Sequence, residues 1–272
     1  MDSGITRRRF GAMAGGAFVS VAFGAACEGI AHRLDDLGAA AGSDGRLTAR
    51  PRDNVTTSAE GKRALGLDRD RDAILQLPAG KDGSRTAPTP LPLLVLLHGA
   101  GGSGEGILRR LGAAADEAGV AILAPDSRDS SWDAIRGGFG RDVAFVDRAL
   151  GRVFDTVSVD PERVAVGGFS DGATYALSLG LVNGDLFRRI AAFSPGFIVD
   201  GVPHGKPTFF ISHGDADQIL PIDHCSRVIV PALRRRGYDV TFREFEGRHE
   251  IPPAIAREGL AWVANETGRA PV

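Results

Sequence analysis

Cysteine is scarce in this sequence, and so is any excess of charge of one sign. The two cysteines, Cys27 and Cys225, are too few for a framework of disulfides. No cysteine and histidine cluster has the spacing of a zinc site, so we expect neither a metal nor a cofactor. The formal net charge is -2 and no basic stripe runs along the chain, which argues against a nucleic-acid partner.

A long hydrophobic run is also missing. A membrane-spanning helix needs roughly 20 strongly apolar residues, and the weakly apolar stretch Gly11–Ala26 is shorter and rich in Gly and Ala. It follows the twin arginine of TRRRF, as in bacterial twin-arginine export signals. We expect residues 1–27 to be such a signal, with a periplasmic or secreted product. Two alternatives stay open at Cys27, plain cleavage before it or lipidation that leaves a membrane anchor.

The rest of the chain divides into a lead-in and one domain. Residues 28–72 are rich in Gly, Ala, Arg and Asp without sustained period, which predicts a flexible lead-in. Over residues 73–272, short apolar runs alternate with helical patterns, which predicts a single α/β domain with a mostly parallel sheet between helices. The predicted strands are Ala73–Leu77, Leu93–Leu97, Val120–Ala124, Val164–Val166, Ile190–Phe193, Thr208–Ile211 and Val240–Phe245. The predicted helices lie near Glu105–Ala118, Gly140–Phe154, Ala173–Val182, Asp223–Arg236 and Pro252–Ala264.

The glycine-rich stretch LLVLLHGAGGSGEGI, Leu93–Ile107, allows two hypotheses. From Gly99 onward its glycines have the G-x-G-x-x-G spacing of a dinucleotide fingerprint, and Asp126 follows about 20 residues later, where a ribose-binding carboxylate belongs. His98 stands directly before the first glycine, however, and an H-G-x-G turn after a strand is how many serine hydrolases build half of an oxyanion hole. The glycines alone do not separate an oxidoreductase from a hydrolase.

A second glycine motif favours the hydrolase. Gly168, Ser170 and Gly172 form G-x-S-x-G between a predicted strand and a predicted helix, as a nucleophile elbow requires. The glycines leave room for a tight turn, and Ser170 must tolerate a strained backbone for its hydroxyl to project above the sheet. The N–H of Asp171, at the start of the helix, would then point at a developing oxyanion.

A base and an acid follow the serine in the chain. His249 lies between the last strand and the last helix, where this architecture presents its base. His213 ends a strand and is expected to shape the turn there. Asp217 is the favoured acid, since Asp215 is closer to the strand end, where capping the turn explains it. Asp223 is a third alternative, better explained as a helix N-cap.

Five segments together resemble the small phospholipase/carboxylesterase branch of the α/β-hydrolase superfamily, and are similar to polyhydroxybutyrate-depolymerase-like esterases. They are LLHGAGG, VDPERVAVGGFSDGATYALSLG, FSPGF, ISHGDADQILPI and FREFEGRHEIPP. The resemblance spans about Ala73–Val263 and implies a single-domain hydrolase fold. The roles it implies are nucleophile for Ser170, orienting acid for Asp217, base for His249, and oxyanion hole for the backbone N–H groups of Ala100 and Asp171.

Substrate choice has weaker signals. At position 171 related esterases often have Gln, Ala or Met, and we expect a carboxylate there to discourage anionic substrates. Only a short loop, residues 194–207, occupies the place of a lid, which predicts an open site without a large lid. Trp132 follows a strand end and is predicted to stack on the substrate, with core packing as the alternative.

These patterns predict an exported serine hydrolase that cleaves small or polymeric carboxylic esters through an acyl-enzyme. Polyester, feruloyl ester and peptide substrates remain open, because the sheet and the triad do not distinguish them. An NAD(P)-dependent oxidoreductase is a more distant alternative, weakened because a strand at Ala73–Leu77 precedes the glycine loop. A catalytically inactive binding module is a third. The oligomeric state is not determined by these patterns.

Overall fold

The computed structural model describes residues 44–57, 61–78 and 90–265. The predicted export signal at residues 1–27, Cys27 and the first part of the predicted lead-in lie outside these ranges. None of the helices in the described ranges has the length and apolar character needed to cross a membrane.

Within the described residues, eight strands form one sheet and five α-helices flank it. The strands are β1 Gly61–Ala64, β2 Ala73–Leu77, β3 Leu91–Leu97, β4 Ala121–Pro125, β5 Val159–Phe169, β6 Arg189–Phe193, β7 Thr208–Gly214 and β8 Val240–Phe245. The helices are α1 Gly104–Ala118, α2 Arg141–Phe154, α3 Asp171–Val182, α4 Ser226–Arg235 and α5 Pro253–Ala264. Two short 3-10 helices, Asp133–Ile135 and Ile222–His224, complete the list.

The sheet brings the predicted site segments to one edge. Its strand order is β1-β2-β4-β3-β5-β6-β7-β8, and the six strands from β4 to β8 in this order are parallel, while β1 and β2 pair antiparallel. The loops after β3, β5, β7 and β8 therefore meet beyond the carboxyl ends of the strands. The prediction of a mostly parallel sheet flanked by helices is confirmed, and the seven predicted strands correspond to β2–β8.

Helix α3 forms the centre of the core. All twelve of its residues are buried, unlike those of a surface helix with one polar face. A Cβ on Gly180 would lie 2.5 Å from the side chain of Ile190, so glycine at this position lets the helix lie close to the sheet. The first turn of α3 is thereby held in place directly after Ser170.

Residues 44–57, which we call the N-terminal strap, are docked onto the domain. Leu47 is 2% exposed, and its N–H donates to Asn183 Oδ1 at 2.8 Å. The Asn183 amide donates in return to Gly45 O at 2.8 Å, and Thr48 donates from N and Oγ1 to the carboxylate of Asp147 at 2.7 and 2.6 Å. The prediction of a flexible lead-in through residue 72 is wrong for the described part of it, since the strap is packed and β1 extends the sheet.

An ion pair attaches the strap to Asp185, which follows α3 in the chain. Arg46 donates from both terminal nitrogens to the two carboxylate oxygens of Asp185, at 2.8 and 2.9 Å, and Arg50 adds a further contact at 2.8 Å. The hydrogen bond from Arg46 is the main cause that holds the pKa of Asp185 well below its usual range. Side-chain partners replace the regular backbone pattern here, which explains why sequence periodicity does not reveal the segment.

Candidate active site

Ser170 lies on a strained turn between β5 and α3. Its backbone has φ 57° and ψ -121°, in the left-handed region that side chains rarely adopt. A Cβ on Gly168 would lie 2.5 Å from the carbonyl of Gly172, and a Cβ on Gly172 would overlap the carbonyl oxygen of Leu97. Both glycines are thus required by space, as the elbow motif predicted.

The loop after β3 packs directly against this turn. A Cβ on Gly99 would lie 3.3 Å from Cβ of Ser170, so the backbone of the loop approaches the serine closely. On the other side, Ser170 O accepts hydrogen bonds from the N–H groups of Ala173 and Thr174. Among the hydrogen bonds between described residues, none uses the N–H of Ala100 or of Asp171. Both donors predicted to form an oxyanion hole are therefore unoccupied within this part of the chain.

His98 holds the shape of the glycine loop. It is 1% exposed, its Nδ1 donates to Gly99 O at 2.8 Å, and its Nε2 accepts from Ser127 N–H at 3.0 Å. Burial is the main cause that lowers the pKa of His98, and an imidazole that accepts a backbone N–H must be neutral. His98 therefore shapes the turn, and both of its ring nitrogens are bonded to backbone groups.

Asp217 and His249 form a direct hydrogen bond. His249 Nδ1 donates to Asp217 Oδ2 at 2.6 Å, although the two residues are 32 positions apart in the chain. The other carboxylate oxygen accepts the N–H groups of Ile219 and Leu220 at 2.8 and 2.9 Å. These bonds fix the carboxylate, and a proton on Nδ1 leaves Nε2 of His249 as an acceptor.

A second histidine also contacts this carboxylate. His213 is fully buried, with Nε2 at 3.2 Å from Asp217 Oδ2 and at 2.8 Å from Leu220 O. Its Nδ1 lies 2.7 Å from Ser226 Oγ. Two acceptors around Nε2 place the proton there, so His213 donates to Asp217. Sequence reasoning limited His213 to a turn, because its contact with the acid depends on how the loop after β7 folds back.

The charge of Asp217 is maintained despite its burial. Removal from water raises the pKa of a carboxyl group, but the hydrogen bonds from His213, His249 and the Leu220 N–H outweigh this and hold the pKa of Asp217 well below its usual range. The carboxylate is therefore ionised wherever the protein is folded near neutral pH. Its negative charge faces the imidazole rings of His213 and His249.

Phe169 connects the histidine with the serine. Its ring lies 4.7 Å from the imidazole of His249, measured between centroids, and it directly precedes Ser170 in the chain. The hydrogen bonds of the described residues do not include one between Ser170 Oγ and His249 Nε2. Such bonds are commonly long in structures without substrate and tighten in the reactive complex. The structure brings the three residues to the same edge of the sheet.

Trp132 does not face the cleft. Its side chain is fully buried, its Nε1 donates to His98 O at 2.8 Å, and its ring stacks on Tyr175 with centroids 5.1 Å apart. The prediction that Trp132 stacks on substrate is therefore wrong in this structure. The indole supports the glycine loop from inside the core, where its apolar area is worth more than at a solvated wall.

Two carboxylates that the sequence singled out have structural partners. Asp171 is 8% exposed and accepts a hydrogen bond from Ser131 Oγ. Asp126 Oδ1 accepts the N–H of Gly104 at 2.6 Å, at the first residue of α1. The carboxylate that the dinucleotide hypothesis assigned to a ribose thus caps a helix.

The remaining candidates are in places that exclude them from the centre of the site. Asp215 is exposed and accepts Gly247 N–H at 3.1 Å, which matches the turn-capping role expected of it. Cys225 is fully buried. Residues 194–207 form a loop without a helix, in keeping with the absence of a large lid in the prediction. In the described ranges no group of three or more His, Cys, Asp or Glu is arranged to hold a metal ion.

The sheet topology and the positions of the serine turn and of the acid and histidine loops are those of an α/β-hydrolase fold. Residues 143–258 match the family model described as Phospholipase/Carboxylesterase. The chain has the fold of an α/β-hydrolase, and its residues 143–258 are similar to the phospholipase/carboxylesterase family.

Individual relatives are similar to part of the chain. The NocK protein of Nocardia uniformis subsp. tsuyamanensis is 33% identical over 155 residues, which are 53% of this chain and 45% of that protein. Feruloyl esterase C of Emericella nidulans is 30% identical over 161 residues, 56% of this chain and 57% of the relative. The chain therefore spans about half the length of the curated relatives it matches. In fold, the Staphylococcus aureus fluorophosphonate-binding serine hydrolase FphF has a TM-score of 0.61 at 19% identity, covering 76% of this chain and 100% of its own.

Proposed function

We propose that this protein hydrolyses carboxylic esters by a Ser-His-Asp mechanism, with Ser170 as nucleophile, His249 as base and Asp217 as orienting acid. The observation that carries the proposal is the 2.6 Å hydrogen bond from His249 to a buried, ionised Asp217, on the same sheet edge as a serine with positive φ. The family match of residues 143–258 supports it independently.

The first step is acylation of the serine. His249 Nε2 takes the proton of Ser170 Oγ while the oxygen forms a bond to the carbonyl carbon of the ester. The carbonyl π electrons move to its oxygen, and the N–H groups of Ala100 and Asp171 stabilise that negative charge. Collapse of this intermediate breaks the bond to the leaving alcohol, which receives its proton from His249.

The second step is hydrolysis of the acyl-enzyme. Water donates a proton to His249 Nε2 and attacks the acyl carbon, and the proton then returns to Ser170 as the acid product leaves. Asp217 keeps the imidazole in the tautomer with the proton on Nδ1 and stabilises its charged form in both steps. His213 is a positioning residue in this scheme, since it contacts Asp217 and not the reacting atoms.

Substrate class and location are further parts of the proposal. The short loop at residues 194–207 suits soluble or surface-exposed esters, and feruloyl esters are included because a relative is named for them. Polyesters and amides are tested in the same panel. The twin arginine before Gly11–Ala26 supports export through a twin-arginine pathway, which fractionation of cells expressing the chain with and without Arg7→Lys and Arg8→Lys tests.

A fluorophosphonate probe tests the mechanism. We expect one covalent adduct, mapped by mass spectrometry to Ser170, and a fall of kcat/KM for a short-chain ester of at least about 10³-fold in Ser170→Ala. Ser158→Ala is the matched control, because Ser158 directly precedes β5, at the opposite end of the strand from the site. An adduct at another residue, or unchanged turnover in Ser170→Ala, would contradict the proposal.

A further inference from the structure

A cavity of about 350 Å³ lies beside the proposed nucleophile. Its wall includes Gly99 and Ala100 of the loop after β3, Phe169 directly before Ser170, and the exposed face of α1. This volume is within the range of pockets that hold small ligands. Since the wall includes Ala100, a proposed oxyanion donor, the cavity has room for one end of a substrate held at Ser170.

Among the described residues of the cavity wall, the formally charged side chains are all positive. Two arginines, Arg109 and Arg110, line it, and no carboxylate is among those of its lining residues that the structure describes. The guanidinium of Arg110 stands over the ring of Phe169, with its central carbon 5.1 Å from the ring centroid. That ring also contacts the imidazole of His249, so Arg110 borders the reactive edge.

The positive charge of Arg110 is not neutralised by an ion pair with another described residue. In the described part of the chain, no carboxylate lies within ion-pair distance of it. Arg109 is 3.9 Å from Glu105, and Glu105 itself is paired closely with Lys62. The nearest carboxylate along α1 is thus shared by two other cations, and the positive charge of Arg110 is left for a ligand.

The carboxylate of Asp171 does not cancel this charge. Its position next to the nucleophile led to the expectation that it discourages anionic substrates, but it is 8% exposed, bonded to Ser131 and not part of the cavity wall. An anion in the cavity therefore meets Arg110 before it meets Asp171.

We propose that Arg110 binds an anionic group of the substrate, so that the preferred esters carry a carboxylate or phosphate a few bonds from the scissile carbonyl. This inference rests on the proposed ester hydrolysis at Ser170. A planar guanidinium suits such groups because it donates two parallel hydrogen bonds to two oxygens. The anion is on the acyl side or on the alcohol side of the ester, and the two sides are distinguished by experiment.

Matched pairs of esters provide the test. On the acyl side, mono-4-nitrophenyl adipate is compared with 4-nitrophenyl hexanoate, which has an acyl chain of equal length without the charge. On the alcohol side, the butyrate ester of 3-(4-hydroxyphenyl)propionate is compared with that of its methyl ester. We expect a higher kcat/KM for the anionic member of one pair, and a fall of that anionic-to-neutral ratio by about tenfold in Arg110→Gln. Added salt is expected to reduce the ratio in the parent enzyme.

Two further variants give the comparison its controls. Arg110→Lys keeps the charge without the planar fork and is expected to have an intermediate ratio. Arg257→Gln removes an exposed arginine of α5 outside the cavity, and its ratio is expected to equal that of the parent. An equal ratio in the parent and in Arg110→Gln, with the neutral ester still hydrolysed, would overturn the anion site alone. If neither member of a pair is hydrolysed and the fluorophosphonate probe does not label Ser170, the proposed function fails and this inference fails with it.

Discussion

The edge of the sheet at Asp217 and the N-terminal strap use polar contacts in opposite ways. At the edge, one fully buried carboxylate side chain holds two imidazoles and two backbone N–H groups. On the strap, the partly exposed carboxylate of Asp147 and the amide of Asn183 hold backbone groups of residues 45–49, with one apolar anchor, Leu47, beneath them. The first arrangement orients a single ring, whereas the second attaches a segment that has no secondary structure.

This difference predicts a separation of effects. Substitutions at the edge are expected to lower kcat/KM strongly and to change the free energy of unfolding little, because the strands and loops around Asp217 stay folded. Changes on the strap are expected to lower the free energy of unfolding and leave catalysis intact, since its contacts lie on α2 and α3 away from Ser170. Four substitutions test this separation.

The largest effect is expected for Asp217→Asn. The amide no longer favours the tautomer with the proton on Nδ1, so kcat/KM for a short-chain ester is expected to fall by about 10⁴-fold, or about 5 kcal/mol of barrier. Steady-state kinetics measure this, with a thermal melt to confirm folding. Asp215→Asn, in the same loop but exposed, is the matched control with activity close to that of the parent. Equal losses in the two variants would contradict the assignment of the acid.

Leu47→Ala is expected to have the next effect, on stability. Removal of a buried leucine side chain costs about 3 kcal/mol through lost apolar burial and the cavity that remains. Urea unfolding measures the loss, and kcat/KM is expected to stay within about twofold of the parent. Thr56→Ala, at an exposed position of the strap, is the control. A stability equal to that of the parent would show that the strap is not part of the folded unit.

His213→Ala is expected to lower kcat/KM by about tenfold, since Asp217 loses a donor that fixes its orientation. Without the hydrogen bond from His213, the Asp217 carboxylate interacts more strongly with the charged form of His249. The acidic limb of the pH profile of kcat/KM is therefore expected to move to higher pH in this variant. His213→Gln, which keeps an N–H donor, is expected to recover part of both effects. A loss of activity without any displacement of the limb would assign His213 a packing role alone.

The smallest effect is expected for Arg46→Gln, at about 1 kcal/mol of unfolding free energy near neutral pH, because the ion pair with Asp185 is partly exposed. The folded-state pKa of Asp185 is lowered, so the stabilisation is present above the unfolded-state pKa of about 4 and is lost as the pH falls below it. Denaturant unfolding of both proteins between about pH 7 and pH 3 measures this. A stability difference that grows toward acid would contradict the assigned partner.

Much of the fold was accessible from sequence. The apolar runs that predicted β2–β8 are continuous because parallel strands are buried on both faces, and this pattern depends on nearest neighbours in the chain. Among the helices, only α4 is clearly shorter than its prediction. The predicted helix began at Asp223, whereas Ile222–His224 forms a separate 3-10 turn before α4. The strap escaped prediction because its partners, such as Asn183 and Asp147, are about 100 or more positions away.

The site was accessible to a similar degree. The glycines around Ser170 predicted a tight turn, because only a residue without Cβ fits at those positions. This requirement can be recognised from a short stretch of sequence. Trp132 was misplaced for the opposite reason, since an aromatic residue after a strand can point into the core or the cleft, and Tyr175 on a distant helix decides which. The contact of His213 with Asp217 was missed because it depends on the path of the loop between them.

The sequence by itself determined the alternation of strands and helices, the elbow at Ser170 and the order of serine, acid and histidine. These features follow from backbone sterics and local periodicity, which any chain of this sequence must obey. The tertiary structure alone decided that Asp217 holds two histidines, that Trp132 faces inward, that Asp171 turns to Ser131 and that Arg110 lies over Phe169 at a cavity. Each of these depends on groups far apart in the chain, and their distances are set only when the sheet is complete.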